Sequence, residues 1–297
     1  MKSTIDCVII GSGVAGMTAA IYLKRAGLNI VLLEKSAPGG QINMTANIEN
    51  YPGFEKIDGP TLAMNMFNQV RTLEVPYKYG TVLEITDKET YKIVKTDLEE
   101  YETKTVLITS GRQPKELGLE HEKQLIGRGI SWCALCDGTL YKNLEVAVVG
   151  GGNSALEEAM YLANICSKVY LIHRRDTFRA EKHIQEKLTK YKNIEILFNS
   201  EVTKLNEADS KLESIDVNGK KLSVNALFIY IGYEPDTKFI DVKKDNKYLI
   251  VNDLYETSIK GIYAAGDVIS KGVYQISTSV GDAANAANNI IKEIYNK

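Results

Sequence analysis

The sequence predicts an α/β fold in which one structural unit occurs twice. Three observations carry this. A strand, glycine turn, helix and second strand open the chain. The same pattern returns with Gly150 standing 139 positions after Gly11. The 297 residues, 44% hydrophobic and 25% charged, have the composition of a globular protein large enough for one big domain or two ordinary ones.

In the first unit, "DCVII" (6–10) is a short apolar run of strand type, and "GSGVAG" (11–16) is the turn. "MTAAIYLKRAG" (17–27) has helical spacing and ends at a glycine, and "NIVLLE" (29–34) is a strand closing on an acid. A GxGxxG alone is weak, but here its whole strand–turn–helix setting is present. Gly11 permits the tight turn, Gly13 lets the backbone approach a pyrophosphate, and Gly16 lets helix and strand pack closely. The helix N-terminus directs free N–H groups and its positive dipole end at the phosphates. Glu34, 23 positions after Gly11, is placed to accept hydrogen bonds from a ribose diol. The unit is therefore expected to be Rossmann-like and to bind a dinucleotide.

The second unit, 145–182, repeats the order. Gly150 and Gly152 match the first two glycines, Asn153 and Ser154 follow, and Ala155 replaces the third glycine, a variant the fingerprint allows. Counting 23 on from Gly150 reaches His173 where the first copy has its glutamate. His173, Arg174, Arg175 and Arg179 stand where an acceptor for a 2′-hydroxyl would be. A carboxylate there repels a 2′-phosphate, whereas guanidinium groups bind one through paired charged hydrogen bonds. The second copy thus reads as an NADPH site, with a solvated basic strand end as the plainer alternative.

Two dinucleotide units suggest two dinucleotides, a hydride donor and FAD, since a flavin converts hydride transfer into thiol chemistry. "YAAGDV" (263–268) ends a strand at Gly266 and Asp267, where the carboxylate is placed to reach a sugar-alcohol hydroxyl. A helix-like segment of small residues, 275–295, follows. These residues alone leave an ordinary αβ connection open.

Cys133 and Cys136 form a CxxC followed by Asp137 in "ISWCALCDGTL" (130–140), and Cys7 and Cys166 are singletons read as buried core thiols. A zinc site would call for a second cysteine pair or a histidine pair, and neither is present. No metal is expected. Two thiols at the start of a helix suit the opening and closing of a disulfide, since the helix N-terminus lowers a thiolate pKa. A closed bridge of such a short loop adds little loop entropy, which argues against a purely structural role.

GxGxxG, "GGQ" (39–41), "IENYPG" (48–53), CxxC-Asp-Gly, GGGxxA, HRRxxxR and AAGDV, in this order, resemble the low-molecular-weight bacterial thioredoxin reductases over essentially the whole chain. The resemblance implies a discontinuous FAD domain with an inserted NADPH domain, both Rossmann-like. Their expected bounds are 1–112 and 240–297 for FAD, and 113–239 for NADPH and the CxxC. The crossings 109–118 and 231–240 become hinges about which the inserted domain rotates. By the same resemblance Glu34, Lys35, Gly39, Gly40, Gln41, Asn50, Asp267 and Gln275 lie near FAD. Cys136 is the sulfur nearest the flavin, Cys133 attacks the partner disulfide, and Asp137 protonates the leaving thiolate, with a turn or cap as the bland role for Asp137. Arg128 is placed to meet an acidic patch on the partner.

Some residues depart from the family pattern. Ser110 replaces a more usual residue in "ITSG", Leu135 stands between the cysteines, and Trp132, the only tryptophan, precedes them as partner surface or as packing.

The expected activity is NADPH-dependent reduction of thioredoxin, by a cytoplasmic homodimer. Related readings serve a thioredoxin-like or peroxiredoxin partner, or take electrons from a ferredoxin-type donor; a redox-inactive flavin sensor is the distant one. A net charge of -2 argues against nucleic acid or an acidic membrane surface as partner. Neither a secretory leader nor a run near the 18 or so apolar residues of a membrane span is read in the sequence.

Overall fold

Strand β1 (Ile5–Ile10) is apolar at nearly every position because both its faces are covered. Cys7 and Ile9 enter one core with Ile30, Leu32 and Leu107, while Val8 and Ile10 enter another with Val31, Leu33 and Ile108. The alternation follows from the two-residue period of a strand. The computed structural model describes residues 4–45 and 48–296. The chain divides into two units, Met1–Gln113 with Glu234–Lys297, and Pro114–Tyr233.

In the first unit β1 leads through a glycine turn into helix α1 (Val14–Arg25) and then strand β2 (Ile30–Glu34), which pairs parallel with β1, Cys7 opposite Ile30. Tyr77–Tyr79 extends the sheet beyond β2, and Glu100–Ile108 lies on the other side of β1, also parallel. An antiparallel meander, Val82–Asp87 and Lys92–Thr96, continues from Glu100–Ile108. Ile262–Ala264 returns from the C-terminal part to pair parallel with Glu100–Ile108. The C-terminal helix Ile276–Tyr295 packs on α1 through Ala283, Ala286 and Ala287 against Ala15, Ala19 and Ala20. Small residues on both sides let the two backbones approach.

The second unit repeats the motif after a single-turn helix α2 (Ala134–Asp137). Strand β3 (Glu145–Gly150), helix α3 (Asn153–Ala163) and strand β4 (Lys168–Ile172) follow. Strand β5 (Ala226–Tyr230) joins them in a five-stranded parallel sheet, ordered Ile194–Leu197, β4, β3, β5, Ile130–Ser131. One face carries α3, with Val146, Val148 and Phe228 against Leu156 and Ala159. The other carries an antiparallel meander, Val202–Ala208, Lys211–Val217 and Lys220–Ser223, through Leu205, Leu212 and Ile215. The α/β class and the duplicated unit read in the sequence are both present.

Candidate functional site

At the first turn Gly11 has φ +99°, a conformation that disfavours side chains, and a Cβ there would lie 2.6 Å from the Thr109 carbonyl oxygen. A Cβ on Gly16 would lie 1.8 Å from the Gly11 oxygen, so only glycine lets the helix start this close to the strand. α1 begins at Gly13 without a side-chain cap, and a Cβ on Gly13 would meet nothing within 4 Å. Uncapped N–H groups facing open space are what a phosphate requires. The second turn has the same form: α3 begins uncapped at Gly152, again with nothing within 4 Å. A pyrophosphate fits both turns. Ala155 is 1% exposed at the position of the third glycine.

Glu34 is buried at the end of β2. One carboxylate oxygen accepts from the Ser12 N–H (2.7 Å) and Ser12 Oγ (2.9 Å), the other from the N–H groups of Lys35 and Ser36 (both 2.9 Å). The carboxylate thus ties the strand end to the glycine turn. Lys35 is exposed and pairs with Asp236 at 2.7 Å. The Gly39 N–H donates to the Ser12 oxygen (2.9 Å), and Gly40 begins a 3-10 turn, Gly40–Met44. Gln41 donates to the Arg112 carbonyl (3.1 Å), and Asn50 to Gln275 Oε1 (3.2 Å). Gln275 caps Ile276–Tyr295 in a reciprocal box with Thr278. Gly266 and Asp267 open a short 3-10 turn, where Asp267 receives Arg112 (2.7 Å), Lys271 (3.5 Å) and Ser279 Oγ (3.0 Å). The Arg112 guanidinium also lies 4.3 Å from the Tyr274 ring centroid. Arg112, from the first crossing, carried no sequence signal for this pairing.

In the second unit Asn153 joins the turn to Glu181, accepting from its N–H and donating to its carboxylate (both 2.9 Å), while Ser154 is exposed beside it. Arg174, Arg175 and Arg179 are exposed together after β4. His173 stands apart from them. It is 5% exposed, its Nε2 is 3.0 Å from the Thr177 oxygen, and its ring would lie 2.2 Å from a Cβ on Gly151. Burial and the nearby arginines hold its pKa below the ordinary value, so the ring is a neutral brace of the glycine turn.

Cys133 and Cys136 are joined as a disulfide. Cys133 is the N-cap of α2, and its Sγ accepts from the Cys136 N–H at 3.1 Å. α2 has only four residues, so this one N–H, rather than a long helix dipole, is what favours charge on the Cys133 sulfur. Cys133 is 6% exposed and Cys136 is exposed. Ser131 organises the site. Its Oγ accepts from the Cys133 N–H (3.0 Å) and donates to Asp137 Oδ2 at 2.6 Å. Asp137 therefore does not cap the following turn with its side chain. Tyr230, at the end of β5, accepts from the Ala134 N–H at 2.9 Å, between the two cysteines in sequence. Trp132 packs with Leu117 and Leu119 on the meander-side core and donates from Nε1 to the Lys115 oxygen (3.3 Å). Neither Ser131 nor Tyr230 was marked by the sequence pattern. Cys7 and Cys166 are buried thiols, pushed up to about 12 and about 11 by burial.

The family model described as pyridine nucleotide-disulphide oxidoreductase matches residues 5–288. A thioredoxin reductase of Bacillus subtilis (strain 168) is 40% identical over 294 residues, 96% of this chain and 93% of the relative. The crystal structure of Lactococcus lactis thioredoxin reductase superposes with a TM-score of 0.91 at 40% identity, covering 99% of this chain and all of that one. That of T. acidophilum thioredoxin reductase gives 0.88 at 31% identity, covering 99% and 100%. Two uncapped glycine turns on duplicated α/β units, a closed CxxC beside an acid and these likenesses along nearly the full length agree: the chain belongs to the pyridine nucleotide-disulphide oxidoreductases, among the low-molecular-weight thioredoxin reductases.

Proposed function

We infer that the protein is a thioredoxin reductase that passes electrons from NADPH, through FAD and the Cys133–Cys136 disulfide, to the disulfide of thioredoxin. The observation that carries this reading is the closed disulfide set against Ser131 and Asp137 in the unit that also bears the second glycine turn. Bound together, the two cofactors supply the hydride equivalent that opens the disulfide.

The chain's own residues then have separate tasks. Gly11, Gly13 and Gly16 receive the FAD diphosphate at the start of α1. Glu34, Lys35, Gly39, Gly40, Gln41, Asn50, Gly266, Asp267 and Gln275 hold the rest of that cofactor. Gly150, Gly152, Asn153, Ser154 and Ala155 receive the NADPH diphosphate, and Arg174, Arg175 and Arg179 take its 2′-phosphate. The domain assignment follows: FAD belongs to the discontinuous unit and NADPH to the inserted one.

When the disulfide opens, the Cys136 N–H stabilises a thiolate on Cys133, which makes Cys133 the attacking sulfur. That sulfur is buried here, so it must be uncovered before a partner reaches it. Asp137, held by Ser131, is placed beside the dithiol to supply a proton to the leaving thiolate. A homodimer and a cytoplasmic setting are taken from the family; among the described residues no helix is long and apolar enough to cross a membrane.

Trapping tests the reading. Cys136→Ser leaves Cys133 to attack the thioredoxin disulfide with no second thiol to resolve the product. A stable mixed disulfide should therefore accumulate with C136S and not with C133S. Accumulation with C133S alone would exchange the two roles, and no adduct with either would refute the function.

A further inference from the structure

The half-buried acid Glu158 has no part in the roles assigned so far. It lies on α3, and its Oε2 is buried without a hydrogen-bond partner. An ionised carboxylate in that position is costly, because no protein donor meets that oxygen. The helix face that carries it is the face toward the dithiol turn. A Cβ on Gly138, directly after α2, would lie 3.0 Å from Leu162 and 3.5 Å from Tyr161, which stand four and three positions beyond Glu158 on α3, and 3.8 Å from Ile165 just past the end of that helix. Glu158 also acts electrostatically on Tyr230, whose hydroxyl oxygen holds the Ala134 N–H at the start of α2. Acid, phenol and dithiol turn thus belong to one neighbourhood of the second unit.

The reaction creates a need for such a group. A hydride equivalent brings two electrons and one proton, so opening the S–S bond gives one thiol and one thiolate. That leaves one extra negative charge near a carboxylate that has no partner. Resting on the disulfide reductase reading, we propose that Glu158 takes up one proton from solvent when the Cys133–Cys136 disulfide is reduced and returns it when the disulfide reforms, acting on the dithiol through Tyr230. Two electrons, one proton from the hydride and one from solvent balance the oxidised and reduced sites. Thioredoxin's disulfide later removes the electrons, and the solvent proton leaves Glu158 with them.

The surrounding charges agree in sign. Burial pushes Glu158 up to about 7, and Glu157 on the same helix adds to the shift. From the facing elements, Asp137 and Tyr233 act on Tyr230, and Asp137 also raises Tyr141. The carboxylates of Glu157 and Asp137 oppose a further negative charge there. A new thiolate adds to them and raises Glu158 again, so proton uptake is greatest just above neutrality. Glu158 and Tyr230 touch neither sulfur, so both are positioning residues.

The test uses the full-length holoprotein reduced anaerobically with dithiothreitol, which opens the disulfide without NADPH. Alkylation of Cys133 and Cys136 reports reduction, so a failure of NADPH to reduce them would count against the function and not against this inference. A reduced-minus-oxidised infrared difference spectrum should show a carboxylic C=O band that shifts with carbon-13-labelled glutamate and is absent in Glu158→Gln. At about pH 8 the wild type should bind about one proton more per disulfide reduced than E158Q. Tyr230→Phe, which keeps the acid and removes the hydroxyl, should lose part of that uptake. A labelled band missing from the wild type, or equal uptake in E158Q, overturns the proposal; full uptake in Y230F overturns the route through Tyr230.

Discussion

Replacing Arg174 and Arg175 by alanine isolates the basis of nucleotide choice. Both side chains are exposed after β4, and no ion pair holds either among the described residues. Their removal therefore breaks no internal contact, and stability should stay within the ±0.5 kcal/mol or so of ordinary surface changes. Each guanidinium makes charge-assisted bonds to a phosphate worth about 1.5–3 kcal/mol. Because the site is solvent-exposed, the lower figure applies, about 3 kcal/mol for the pair. At about 1.4 kcal/mol per decade, kcat/KM for NADPH should fall roughly 100-fold. NADH lacks the 2′-phosphate, so its kcat/KM should move less than about threefold. The assay is steady-state thioredoxin reduction with each nucleotide, beside a melting curve for each protein. An unchanged NADPH to NADH ratio in a stably folded variant would refute the assignment of the arginine loop.

Other expectations concern the dithiol and the glycine turn. Ser131→Ala removes the 2.6 Å bond to Asp137 and the hydroxyl acceptor of the Cys133 N–H, a loss of about 1–3 kcal/mol. Thioredoxin turnover should fall about tenfold while NADPH oxidation by a small artificial acceptor is unchanged; equal losses in both would place Ser131 in the nucleotide half of the reaction. His173 has a folded pKa below its ordinary 6.5, so the unfolded chain binds its proton first as pH falls. Stability tied to this ring is full above pH 6.5 and is lost as pH drops toward the folded value. Denaturant midpoints of the wild type and His173→Phe should therefore converge at acid pH, and a constant gap would show that the ring does not titrate in this way.

The sequence carried whatever depends on local chemistry and spacing. The glycine turns were legible because Gly11, Gly16 and their counterparts answer to steric demands that recur at fixed offsets. The strands were legible because β1 and β3 are apolar on both faces. The CxxC-Asp cluster was legible because its members are adjacent. What escaped was pairing between distant segments. Arg112 meets Asp267 across 155 positions, and Tyr230 meets Ala134 across 96, with no periodicity to announce either. The orientation of His173 escaped for another reason: its position in the repeat matches Glu34, but an imidazole beside Gly151 packs inward while its arginine neighbours remain outside. Glu158 carries no sequence signal that sets it apart from Glu157 beside it on the same helix.

The claim that one chain joins nicotinamide, flavin and dithiol is tested most directly by anaerobic titration of the flavin-loaded protein with NADPH. The quantity measured is two-electron equivalents absorbed per flavin. Two equivalents are expected, one pair on the flavin and one on Cys133–Cys136. A single equivalent, with both cysteines still closed to alkylation, would disconnect the disulfide from the flavin and contradict the account.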